Sequence, residues 1–228
     1  ERGDTRDFIL KKSPEGVPRS GSTDVFRQAK LLHALNRSGF PAPDVPWSSD
    51  RDDILGAPFI IMQRLPGRSV IVWDPAPDAI TQFRDPATIW TEAARLMGAL
   101  HAFDWRLELG NWERPTDLLA ELDRWTRLLR HMQDQETQQR AQRLAERLRE
   151  TIPARVAIGL VHGDLQPGNV LYERARAQGL IDWDLATIGP LGMDVGWLLM
   201  IADSEGWARD WRPYGAPDRG ALLKAYEN

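Results

Sequence analysis

The run Val161-His162-Gly163-Asp164-Leu165-Gln166-Pro167-Gly168-Asn169 and the later Ile181-Asp182-Trp183-Asp184 place carboxylates and an amide at spacings that could do chemistry. An aspartate within reach of an attacking hydroxyl can take its proton. An asparagine amide oxygen a few residues on, with a separate carboxylate, can hold magnesium against a triphosphate. Asp164 is the candidate base, and Asn169 and Asp182 are the candidate metal ligands. Pro167 and Gly168 let the intervening loop fold tightly. The competing reading is a turn rich in capping Asp and Asn with no catalysis. Four fixed identities at this spacing arise by chance on the order of once per thousand chains of this length, and Asp182 lowers that further, so the catalytic reading is preferred. His162 is expected to orient the loop by hydrogen bonding rather than to transfer protons. His101, on an apolar helical face, is expected to be a satisfied core residue.

These groups must be delivered by ordered elements. Val156–Val161 reads as a short apolar strand ending at His162, Val170-Leu171-Tyr172 as a second, and Gly179 to Asp184 as a third approach to carboxylates. Upstream, Asp7–Lys12 reads as a strand with Lys11 at its end, and apolar positions Val25, Ala29, Leu32 and Leu35 predict a helix over 24–35, stopped by Gly39 and the Pro41 and Pro43 pair. A loop is expected next, then a strand over 57–63 that turns at Leu65-Pro66-Gly67-Arg68. Beyond residue 66 the texture is helical. One helix is expected from Pro86 to Phe103, burying Ile89, Ala93, Leu96, Leu100 and Phe103. A second carries Leu118, Leu122, Trp125, Leu129 and Met132 on one face, and a third spans 137–149. The Gln- and Arg-rich stretch 133–149 reads as a solvated helix face.

The bulk properties bound the class. With 228 residues, 42% of them hydrophobic, the chain can bury one large core or two modest lobes. Its net charge of -4, from 29 basic and 33 acidic residues mixed along the chain, provides no basic stripe for nucleic acid. Cysteine is absent, which excludes disulfides and thiolate metal sites and fits a reducing, cytoplasmic setting. Charged residues interrupt every apolar run before it could span a bilayer, so no membrane role is expected. The chain begins at Glu1 and ends in what reads as an unfinished helix, so the fold is expected to be truncated at both ends.

The loop H-G-D-L-Q-P-G-N followed by I-D-W-D matches the kinase pattern H-R-D-L-x-x-x-N followed by D-F-G in the spacing from Asp164 to Asn169. With Phe59 to Gly67, Leu100-His101-Ala102-Phe103-Asp104, and Gly189-Pro190 and Asp194 downstream, the chain resembles the aminoglycoside phosphotransferase-like family of small-molecule kinases over nearly its whole length. The resemblance implies an α+β, two-lobed protein-kinase-like fold: a nucleotide-binding lobe at 1–65 and a helical lobe at 66–228, with the catalytic loop at 161–171 and the metal-binding segment at 180–185. It implies that ATP or GTP is the donor with Mg2+, that Lys11 meets the phosphates, and that the backbone at Gln63 and Leu65 bonds adenine. Asp184 would assist the metal site or tie down the loop, and Asp194 would brace the catalytic loop. Lys11 and Lys12 point to opposite faces of a strand, so only one of them can enter the cleft; Lys11 is chosen, whereas a lysine pair at a strand end taken alone is more often a surface pair.

Two departures matter. Gln28 stands where such kinases offer a glutamate to the strand lysine, so its carbonyl is expected to accept a hydrogen bond from Lys11 without countercharge, weakening nucleotide affinity. Gly163 replaces the loop arginine of many protein kinases, and no A-P-E follows Asp182, which favours a small hydroxylated acceptor over a protein. The acceptor itself stays open: Asp184, Asp194, Asp203 and Glu205 are followed by Arg209, Arg212 and Arg219. The alternative function is a pseudokinase-like module that binds nucleotide without transfer, and oligomeric state is not legible.

Overall fold

The computed structural model describes residues 6–129, 131–207 and 211–228. Strand β1 (Phe8–Lys12) pairs antiparallel with β3 (Phe59–Gln63), which pairs on its other side with β2 (Trp47–Ser49), giving the order β1-β3-β2. The expected loop before β3 therefore contains a third strand and a one-turn helix, α2 (Asp52–Leu55). Three residues, two of them serines, have no alternation of their own to announce a strand; β2 exists through its ladder with β3. Helix α1 (Arg27–Arg37) packs Ala29, Leu31, Leu32, Ala34 and Leu35 inward and ends before Gly39, whose φ of 79° no β-carbon-bearing residue adopts comfortably.

After the one-turn α3 (Pro77–Ile80), helix α4 (Ala87–His101) forms the axis of the second half. Ile89, Trp90, Ala93, Ala94, Met97 and Leu100 are all buried, because apolar residues recur at three- and four-residue spacing on more than one side of it. The expected burial of Leu96 and Phe103 is also observed. Short α5 (Trp105–Glu108) is capped by Asp104, which accepts from Leu107 N–H at 3.1 Å. Helices α6 (Leu118–Leu129) and α7 (Gln135–Glu150) form a hairpin. Its apolar stripe is only half covered: Leu118, Leu122 and Leu129 are partly buried, whereas Trp125 and Met132 are exposed. The 133–149 stretch is solvated apart from buried Ala145 and half-buried Gln138 and Ala141, as its composition suggests.

Four short strands follow. β4 (Ile158–Val161) pairs with β7 (Thr187–Pro190), and β5 (Val170–Glu173) with β6 (Arg176–Leu180). The β5–β6 connection is a two-residue turn with Arg174 at φ 53° and Ala175 at φ 58°, a geometry usually supplied by Asn-Gly. The chain's Gly67 makes the link back to the first half. There Arg68 and Tyr172 exchange both backbone hydrogen bonds at 2.9 Å. A β-carbon at Gly67 would lie 2.6 Å from the Tyr172 carbonyl oxygen. Helices α8 (Gly192–Ala202) and α9 (Arg219–Tyr226) close the core against α4. Among the described residues no helix is long and apolar enough to cross a membrane. The architecture is α+β, with helices and small antiparallel sheets.

Candidate active site

The catalytic loop hangs from one buried carboxylate. Asp194, fully buried near the start of α8, accepts His162 N–H at 2.7 Å and Gly163 N–H at 2.8 Å, and its Oδ2 lies 3.2 Å from His101 Nε2. A carboxylate accepting three N–H donors is well solvated without water. His101 is thus a satisfied core residue, its other ring nitrogen 2.9 Å from the Tyr226 hydroxyl. The ring of His162 bridges two strands' ends: Nε2 lies 3.0 Å from Ile181 O, and Nδ1 is 3.3 Å from Asp164 N–H. Only the tautomer protonated at Nε2 satisfies both, so the ring orients the loop rather than carrying protons. Complete burial pushes its pKa below the ordinary 6.5, against the opposing pull of Asp194.

Gly163 has a physical reason beyond the missing arginine. Its φ is 86°, and a β-carbon there would meet Leu185 O at 2.6 Å. The loop and the segment after Asp182 lie too close for any side chain at this position. Trp183 is equally structural: it is buried, donates from Nε1 to Leu180 O at 3.0 Å, and packs edge-on to His162. It forms part of the core and says nothing of the acceptor.

Asp164 is held on both oxygens. Its Oδ1 accepts Trp197 Nε1–H at 2.8 Å and Gln166 Nε2–H at 3.1 Å, and its Oδ2 accepts Asn169 Nδ2–H at 2.9 Å. A carboxylate has roughly four lone-pair sites, so the remaining one is on Oδ2, and this is the atom on which an acceptor hydroxyl could rest. Asn169 spends its other amide hydrogen on Asp164 O at 2.8 Å. Its NH2 group is committed to the loop, which turns the amide oxygen away from Asp164.

Ile181 N–H donates to Asn169 O at 2.9 Å and sets Asp182 beside the loop. Asp182 has a left-handed backbone, φ 65° and ψ 65°, rare for an aspartate and found where a site demands it. Its side chain is half exposed. Asn169 Oδ1 and the Asp182 carboxylate are oxygen donors of the type that suits a hard divalent cation such as magnesium. The described residues contain no group of three or more His, Cys, Asp or Glu able to hold a metal by themselves.

Lys11, not Lys12, enters the cleft. Its Nζ lies 2.7 Å from Asp184 Oδ1 and 3.6 Å from Asp182 Oδ1, while Lys12 turns outward to Glu15. Gln28 corrects the expectation placed on it. Instead of accepting from Lys11, its Nε2 donates to Asp184 Oδ1 at 2.5 Å. The lysine and the amide share one acceptor, and the countercharge comes from Asp184.

A cleft of about 810 Å³ opens above these groups. Ile9, Met62, Pro43, Leu171 and Ile181 give it apolar walls; Lys11, Asp182 and Asp184 lie at one part of it and Gln63 and Leu65 at another. Gln63 N–H is taken by Asp44 O at 2.7 Å, so the carbonyl is the group it has to offer. Leu65 N–H bonds to no other described residue. A free donor two residues from a carbonyl suits the edge of a purine ring. Of the candidate site residues, Asp164 and Asn169 are not among those that line this cleft, and His162 and Asp194 are buried. Arg209 lies outside the described residues.

Comparison with known proteins decides the family. The model of the APH phosphotransferase enzyme family matches residues 1–227. The chain belongs to this family. Among curated proteins it is 26% identical to mouse acyl-CoA dehydrogenase family member 10, over 84% of this chain and 18% of that protein. It is 28% identical to the probable acyl-CoA dehydrogenase IBR3 of Arabidopsis thaliana, over 85% of this chain and 24% of that one. The chain therefore spans about a fifth to a quarter of the length of these relatives. Among solved structures, a candidate aminoglycoside phosphotransferase from Ralstonia eutropha superposes with a TM-score of 0.71 at 20% identity, covering 99% of this chain and 75% of that one. The GDP complex of aminoglycoside 2'-phosphotransferase-IIIa gives 0.64 at 16% identity, covering 99% and 79%. At such identities the likeness is one of fold, and the fold is that of the aminoglycoside phosphotransferases.

Within this family member, Trp197 is the site residue that sequence reasoning missed. Its signal was present: it follows Asp194 by three residues on α8, on the same helical face. Replacing it with Phe removes one charge-assisted hydrogen bond, and kcat is expected to fall about tenfold or more with nucleotide KM little changed; an unaltered kcat would show that the indole N–H does not position Asp164.

His162 sets a pH dependence of stability. Its folded pKa is depressed, so its contribution is complete above 6.5 and is lost as pH falls from there toward the folded value. Urea unfolding should therefore steepen by up to about 1.4 kcal/mol per pH unit below that point. The slope should flatten in His162→Asn, and equal slopes in the two proteins would contradict this.

Proposed function

We propose that this chain transfers the γ-phosphoryl group of ATP or GTP to a hydroxyl of a small molecule. One observation carries the reading: Asn169 gives both amide hydrogens to Asp164, one to its carbonyl and one to its carboxylate. The same side chain thus orients the base and leaves its own oxygen for a cation, coupling the two parts that phosphoryl transfer must align. Family membership supports the reaction class.

In this mechanism residues 1–65 contribute the nucleotide lobe and 66–228 the lobe that carries the catalytic loop. The purine ring lies between Ile9 and Leu171, bonded by Gln63 O and Leu65 N–H. Lys11 meets the phosphates. Magnesium, held by Asn169 and Asp182, supplies charge neutralisation at the transferring group when bound. Asp164 Oδ2 receives the hydroxyl's hydrogen bond, directs its oxygen in line, and takes the proton as the bond to the γ-phosphorus forms and the bond from that phosphorus to the β,γ-bridging oxygen breaks, releasing the nucleoside diphosphate. Trp197 and Gln166 keep the other carboxylate oxygen occupied, so the base presents one atom in one direction.

Gly163 and the close packing behind it leave no loop arginine, in keeping with a small acceptor rather than a protein. The reading is tested by offering Mg-ATP and Mg-GTP with a panel of hydroxylated compounds and reading product mass. A phosphorylated product is expected with the parent chain. Asp164→Asn should lower turnover by about a thousandfold or more while nucleotide affinity stays within a few-fold; equal activity in the variant would sink the assignment.

A further inference from the structure

Lys11 needs a countercharge to be held in the cleft, and α1 does not supply one. On the reading above, in which Lys11 meets nucleotide phosphates, we infer that Asp184 is the positioning residue for Lys11, with Gln28 as the neutral clamp that fixes Asp184. The two parts are mutually dependent: with a carboxylate already at 184, position 28 requires a donor.

Four observations converge. Lys11 Nζ and Gln28 Nε2 approach the same oxygen, Asp184 Oδ1, at 2.7 and 2.5 Å. The reverse orientation of the amide would place its carbonyl oxygen against that carboxylate, so donation is the only stable arrangement. Gln28 is only 2% exposed, and its side chain cannot swing out to leave Asp184 to water. α1 grips the same segment a second time, where Arg27 Nη2 donates to Ala186 O at 2.5 Å. Buried Trp183 fixes the intervening turn from the other side. The segment that carries Asp182 is therefore tied to α1, and Lys11 is tied to that segment.

A glutamate at 28, the residue expected from kinase pattern, would set two carboxylates within hydrogen-bond distance of each other. Such a pair cannot remain fully ionised at that spacing without cost. The charge at the site would rise to an excess of anions beside the place where phosphates bind.

The test is a charge exchange read by nucleotide binding. Wild type, Gln28→Glu, Asp184→Asn and the double variant are titrated calorimetrically with Mg-ADP, with thermal unfolding recorded for each. Each single variant is expected to bind about tenfold more weakly, and the double variant, which moves the carboxylate to α1 and the amide to 184, to recover to within about threefold of wild type. Lys12→Ala, on the opposite strand face, should bind as wild type does. Gln28→Glu binding as tightly as wild type, or a folded double variant binding no better than the weaker single variant, would overturn the inference. If Gln28→Glu does not fold, the comparison of Asp184→Asn with the double variant decides it by the same criterion. Failure of wild type to bind any nucleotide would instead refute the proposed function, so the two failures are distinct.

Discussion

A fully buried carboxylate is costly unless hydrogen-bond donors replace the water it has lost, and Asp194 finds those donors by holding the candidate catalytic loop. Its oxygens take the backbone N–H groups of His162 and Gly163 and face His101. Because these donors are consecutive, the chain must turn sharply just before Asp164, which puts Gly163 at positive φ against Leu185. The rest of the arrangement follows from that turn. His162 is pulled inward to reach Ile181, Asp164 is set toward Trp197, and Asn169 closes the loop on Asp164.

The other half of the site is organised by charge. Lys11 comes from the first sheet, whereas Asp182 and Asp184 come from the segment after β6, so their pairing joins regions far apart in sequence. Gln28 and Arg27 add two further ties from α1 to that segment. Nucleotide phosphates entering the cleft would meet a lysine already held in place by its carboxylate partners. Preorganisation of this kind saves reorganisation when the reacting groups are brought into line.

Much of this was legible in the sequence, and for definite reasons. The loop His162 to Asn169 and the pair Asp182 and Asp184 mark a candidate site by residue identity and spacing, and helices α1 and α4 declare themselves through apolar periodicity. The strand's two-residue alternation allowed only one of Lys11 and Lys12 into the cleft, and the choice of Lys11, which came with the family resemblance, matches the observed geometry. What escaped was information held in pairing across distance. β2 is three residues long and exists because β3 lies beside it. The β5–β6 turn uses Arg174 and Ala175 at positive φ, without the glycine or asparagine that would mark it. The indole N–H that Trp197 places on Asp164 is likewise a contact between segments distant in sequence. The role of Gln28 was inverted, because the identity of its partner depends on where Asp184 sits, which no local pattern encodes.

The dependence of the loop on Asp194 is tested most directly by Asp194→Asn. An amide at this position can accept from one of the two backbone donors but turns an NH2 group toward the other. The account predicts that His162 and Gly163 amide hydrogens lose protection in hydrogen exchange. It also predicts that phosphoryl transfer falls at least about a hundredfold, while nucleotide affinity, which the proposed function assigns to Lys11 and the backbone near Leu65, changes by no more than a few-fold. Undiminished transfer in a folded variant, with both amides still protected, would contradict it.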